Sequence, residues 1–173
     1  DFVRNNLTTN NTISFSLDSG EEGGISDPAF LQTSEQFARW LQAQPEVIHV
    51  ATYTDIMKRL NKTMHGDDPA WYRLPEEREL AAQYLLLYEF SLPFGLDTNN
   101  LLDAGKASTR ITATVADSST DNILGLQQRS QQWLRDNAPS AMYHPGTSSD
   151  IMFAHMGYSN IRSMLEGSAL ALL

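Results

Sequence analysis

The sequence predicts an α+β fold of the ferredoxin-like split βαβ type, with two βαβ units and a helical insert between them. Three observations predict it. Apolar and polar residues alternate with period two in two separate runs, residues 12–18 and 109–117. Each run is followed by an amphipathic helical stretch and then, past a proline, by a short run suited to a strand. The halves also share a local pattern: Trp40-Leu41 precedes Pro45, and Trp133-Leu134 precedes Pro139. Right-handed crossover connections leave few other topologies for such a chain.

Taken in order, Ile13, Phe15 and Leu17 alternate with Ser14, Ser16 and Asp18, a half-buried strand. Gly20, Gly23 and Gly24 form a loop, and Asp27-Pro28 reads as an N-cap followed by proline at the first helical position. That helix runs to about residue 44, with Phe30, Phe37 and Leu41 on one face, and Pro45 stops it. Residues 47–53 are β-branched and aromatic, hence a strand. A short helix covers 54–61, and 62–74 is a loop with His65-Gly66-Asp67-Asp68 as its turn.

Pro75 opens the strongest helix, with Glu76, Glu77 and Glu79 where the helix dipole favours anions. Leu80, Tyr84, Leu87 and Tyr88 form its predicted apolar stripe, and Pro93 and Gly95 end it. Residues 96–108 are polar and Asn-rich, a loop. A second alternating strand follows, then a helix capped by Ser119 or Thr120 and running to about Asn137. Pro139 ends it, residues 141–144 read as a short strand, and the chain turns helical from about 149. The predicted halves are thus 12–53 and 109–146, and the insert is 54–100.

The chain of 173 residues suits one domain or two small subdomains sharing a core. Its formal net charge of −9 argues against a nucleic-acid partner and against docking on an anionic lipid surface. It has no cysteine, which excludes thiolate chemistry and fixes no redox compartment. The last residues, Met164 to Leu173, grow apolar and small, so 164–173 is expected to be the start of a transmembrane helix cut short, with 1–163 as the folded domain. A C-terminal helix docked on the core is the plainer alternative. About ten further apolar residues downstream are expected, enough to complete a span.

Two stretches carry a family resemblance. Residues 74–97, LPEERELAAQYLLLYEFSLPFGLD, and residues 150–173, DIMFAHMGYSNIRSMLEGSALALL, resemble segments of exporters of the resistance-nodulation-division superfamily. The branch is that of the large mycobacterial-type membrane proteins and hopanoid transporters. The opening DFVRNNL and the element around Gln44-Pro45-Glu46-Val47 are similar as well. The resemblance implies the second extracytoplasmic loop, a porter-type domain of βαβ repeats in the inner membrane, flowing into the next membrane helix. It implies export of hydrophobic or lipid-like substrates driven by protons through membrane helices outside this chain. The implied partners are the protein's own transmembrane domain, its first periplasmic loop and further copies of itself. Glu166 departs from a clean membrane helix, because a lone carboxylate in the bilayer is costly.

No catalytic motif is present: no Gly-x-Ser-x-Gly elbow, no Walker loop and no His-Glu-x-x-His. The reading is therefore not an enzyme, with no cofactor and no metal. His49 and His144 occupy similar places in the two halves and form a conceivable ligand pair, although satisfied sheet histidines are commoner. The run Met64 to Asp68 is better read as a turn than as a carboxylate–imidazole site. Residues 97–103 resemble a calcium loop but lack its central glycine and closing glutamate. The substrate-path candidates are the aromatics of the insert, Trp71, Tyr84, Tyr88, Phe90 and Phe94, with Tyr72 beside them. Such rings at helical spacing are usually core; the functional alternative is an apolar wall of a cleft between subdomains.

Overall fold

A computed structural model of the chain describes residues 11–94, 96–116, 120–148, 152 and 163–164. Over these described residues it is an α+β fold with a three-stranded antiparallel sheet and four α-helices. The strands are β1 (Asn11–Asp18), β2 (Val47–Ala51) and β3 (Ser108–Val115). The helices are α1 (Pro28–Gln42), α2 (Tyr53–Met64), α3 (Arg78–Ser91) and α4 (Thr120–Asn137).

The sheet order is β1-β3-β2, with β3 antiparallel to both neighbours. β1 and β2 therefore run parallel on either side of β3, and α1 makes the crossover between them. Alternation decides which face is covered. Ile13, Phe15, Leu17, Ile111, Ala113 and Val115 are buried, whereas Ser16 and Arg110 on the opposite face are exposed. β2 carries one extra residue against β3 between Val47 and His49. The irregularity keeps Val47 and Val50 inward and leaves Ile48 and His49 exposed.

The helices form as their end signals dictate. Asp27 Oδ1 accepts from the N–H groups of Ala29 and Phe30 at 2.8 and 3.3 Å, with Pro28 in the first turn. α1 then buries Phe30, Leu31, Phe37, Ala38 and Leu41. α4 meets it through an aromatic cluster: the Phe37 ring centroid lies 5.2 Å from those of Phe15 and Trp133, and Trp40 lies 6.1 Å from Trp133. The matching Trp-Leu patterns of the two halves are thus in contact, and Leu41 and Leu134 are both fully buried.

Several expectations are corrected. Residues 141–144 do not form a strand; Ser140–Met142 is a 3-10 turn, and the chain reaches the sheet only at Thr147. There Ser14 and Thr147 exchange both backbone hydrogen bonds, at 2.9 and 2.8 Å. The next position of that ladder would set residue 145 opposite Ser16, and Pro145 has no N–H to donate. α3 starts at Arg78 rather than at Pro75, with Glu77 making no side-chain cap. α2 continues to Met64, beyond the predicted 61. The predicted membrane segment, 164–173, lies outside the described residues apart from Met164, as does the helical stretch from 149 apart from residues 152 and 163–164.

Candidate functional site

The aromatic candidates do not converge on one cleft. Tyr84 is core: it is 3% exposed, and its hydroxyl donates to Asn61 Oδ1 at 3.0 Å. Burial pushes its phenol pKa above the usual value. Asn61 in turn donates Nδ2–H to the carbonyl of Arg73 at 2.9 Å, so this pair stitches α2, α3 and the loop between them. Tyr88 is half-buried on the same side of α3.

Trp71 stands elsewhere, in the loop before α3. It stacks on His65 with centroids 3.6 Å apart, and the Arg73 guanidinium lies 4.5 Å from its ring. These residues line a shallow groove of about 280 Å³ with Leu74, Glu76 and Leu80. His65 Nδ1 is 2.8 Å from the carbonyl of Asn61.

Phe90 and Phe94 form a third group at the far end of α3. Phe90 is 85% exposed and Phe94 is 110% exposed, so Phe94 stands off the surface rather than in a cleft. Leu86, Leu87 and Leu96 are exposed beside them in sequence. Leu86 and Phe90 stand four residues apart on one face of α3, and Phe94 follows after the helix has ended at Ser91 and the backbone has become extended at Leu92. The buried stripe is instead Ala81, Tyr84 and Leu85, so Leu87, expected inward, faces out. No charge belongs to this outer stripe. Glu89 turns away to Lys106 and Thr98, and Asp97 is occupied by the backbone and side chain of Asn99 at 3.0 and 2.6 Å.

The polar candidates resolve into turn chemistry. Asp68 accepts from Ala70 N–H at 2.9 Å and Asp67 from the Thr63 hydroxyl at 3.2 Å. Asp103 accepts from the N–H groups of Ser108 and Gly105 at 2.6 and 3.0 Å, and the Ser108 bond leads in holding its carboxyl below the usual range. Asp68 and Asp103 are committed to backbone donors and Asp67 to a hydroxyl of the same turn. His49 on β2 and His144 beside the Thr147 bridge to β1 lie at opposite edges of the sheet and form no pair. Among the described residues, no group of three or more His, Asp or Glu side chains is placed to hold a metal ion.

Sequence reasoning missed a buried charge network. The Glu35 carboxylate accepts from the Thr54 hydroxyl at 2.7 Å, Lys58 Nζ at 2.9 Å and Arg39 Nε at 3.0 Å. Lys58 also pairs with Asp55 at 2.9 Å. Its local spacings, Glu35–Arg39 at four residues on α1 and Asp55–Lys58 at three on α2, are legible in the sequence, whereas the Glu35–Lys58 contact between helices is not.

No family model matches the chain, and no characterised protein or solved structure is significantly similar to it. Among the described residues, no helix is long and apolar enough to cross a membrane.

Proposed function

We propose that this chain is the extracytoplasmic, porter-type second-loop domain of a proton-driven exporter of the resistance-nodulation-division superfamily, standing outside the inner membrane and serving the export of hydrophobic or lipid-like substrates. The observation that carries this reading is the arrangement of the two halves. Reading across the sheet, the Thr147 bridge, β1, β3 and β2 follow one another, with α1 and α4 meeting through Trp40 and Trp133. This order supports reading the domain as a ferredoxin-like split βαβ sandwich whose last strand is reduced to a single bridge. It agrees with the βαβ repeats that the sequence resemblance implies. The uncovered apolar stripe of α3 supports work beside something apolar.

The domain has no catalytic role in this reading. The proton pathway belongs to membrane helices, and subdomain motion transmits it to the substrate. Its partners are the transmembrane domain, the first periplasmic loop and other copies of the exporter. One observation favours a second reading, an interaction module with no cargo site of its own: the five aromatic candidates line no common cavity.

The test is expression of the complete gene product followed by fractionation and protease protection. The expected result is a membrane-bound polypeptide whose residues 11–148 are cut by protease added from the periplasmic side. A full-length product that is freely soluble overturns the proposal.

A further inference from the structure

We propose that the outer face of the sheet carries a phosphate-binding groove, in which the Arg110 guanidinium, the Ser16 hydroxyl and the Asn100 side-chain amide receive a phosphate monoester. The site goes beyond the exporter reading and stands without it.

Strand register puts the groove together. Ser16 on β1 lies opposite Arg110 on β3. Alternation sends both to the face away from the core, since Phe15, Leu17 and Ile111 are buried. β2 stops at Ala51, opposite Thr112. Past that end the loop before β3 takes the place of a strand: the Arg110 N–H donates to the Leu101 carbonyl at 2.8 Å, and Leu102 bridges to Thr109. On the other side of β1, Thr147 is bridged to Ser14. Ser16, Arg110, Asn100 and Thr147 thus line one groove of about 230 Å³.

Charge selects the ligand. Arg39, Arg73, Arg78 and Arg129 are each paired with a glutamate. The Arg110 guanidinium has no ion-pair or hydrogen-bond partner among the described residues, and neither has the Ser16 hydroxyl or the Asn100 amide. The carboxylate on the groove wall, Asp103, accepts instead from the N–H groups of Ser108 and Gly105. A guanidinium keeps its charge at any physiological pH and presents a planar fork of donors that matches an oxyanion. A phosphate monoester brings three acceptor oxygens, enough to engage the fork, the hydroxyl and the amide together. The fork alone takes up both oxygens of a carboxylate. No aromatic ring lines the groove, which sets it apart from a stacking site for a nucleobase. The net charge of −9 opposes anions over the surface as a whole, so binding here rests on these particular donors.

The test titrates the whole chain with sn-glycerol 3-phosphate, with glycerol, and with dihexanoyl phosphatidic acid below its micelle concentration, following amide shifts by NMR. The phosphate ester is expected to give saturable shifts centred on Ser16, Asn100 and Arg110, with a Kd of roughly 1 mM, and glycerol to give none. Arg110→Gln is expected to weaken binding roughly tenfold or more. Arg110→Lys, which keeps the charge and loses the fork, is expected to fall between. Arg59→Gln removes a charge that is likewise exposed and unpaired among the described residues, on α2, and is expected to leave binding unchanged. Tighter binding of the phosphatidic acid assigns the groove to a lipid headgroup; binding no tighter than that of the ester assigns it to a free phosphate ester. Binding that survives Arg110→Gln, an equal loss in Arg59→Gln, equal binding of glycerol, shifts centred elsewhere, or no saturable binding overturns the inference. None of these outcomes depends on where the full-length product fractionates, so this inference and the exporter reading fail separately.

Discussion

Glu35 shows how a single side chain ties two helices together. Its side chain is 10% exposed on α1, and Lys58, which reaches it from α2, is 12% exposed. Burial by itself raises the Glu35 pKa, but hydrogen bonds from Lys58 and Thr54, the Lys58 charge and the Arg39 contact together hold it below the usual value. A depressed carboxyl stabilises the fold above its unfolded pKa of about 4.3, and that contribution is lost as pH falls through the folded value. Glu35→Gln is expected to cost about 2 kcal/mol at neutral pH in urea unfolding. The gap between variant and parent should close as the pH is lowered below about 4. A gap that stays constant with pH would remove the charge from the explanation. Lys58 has the opposite sense: burial lowers its pKa, but Asp55 and Glu35 raise it on balance, so its contribution is present below its unfolded titration for as long as those carboxylates stay ionised, and is lost as pH rises through the folded value.

The two edges of the sheet are finished differently. On β2 the side-chain amide of Gln42 imitates a neighbouring strand, donating to the carbonyl of Ile48 at 3.2 Å and accepting from the N–H of Val50 at 3.0 Å. A side chain thereby satisfies edge groups that otherwise invite pairing with another chain. Gln42→Ala is expected to cost about 1 kcal/mol and to speed amide exchange at Val50 more than at Ala113 in the centre of the sheet. Equal protection at Val50 in the variant would show that the amide plays no part in closing the edge. On β1 the edge is met by one bridge. Pro145 bars its extension, and Gly146 passes so close to Phe15 that a Cβ would lie 2.4 Å from the ring. Gln127 Nε2 fixes this crossing by donating to the carbonyl of Gly146 at 2.8 Å.

Over the whole molecule, stability depends on how the two halves meet at Trp40 and Trp133. Trp133→Ala is expected to cost about 3 kcal/mol. A double-mutant cycle with Trp40→Ala should show a coupling of about 0.5–1.5 kcal/mol. Additive losses would mean that the halves are joined by burial alone. Much of this architecture was legible in the chain: the alternation of β1 and β3, the Asp27-Pro28 start of α1, the stop at Asn137 and the shared Trp-Leu pattern. These signals are local, because periodicity and capping record which side of an element is buried and where it ends. Tertiary structure alone decided the strand order, the separation of His49 from His144, the Lys58 partner of Glu35 and the division of the insert's aromatics into core, loop stack and exposed tip. Partner choice rests on contacts between residues far apart in sequence, and a periodic pattern says that a face is apolar without saying what covers it.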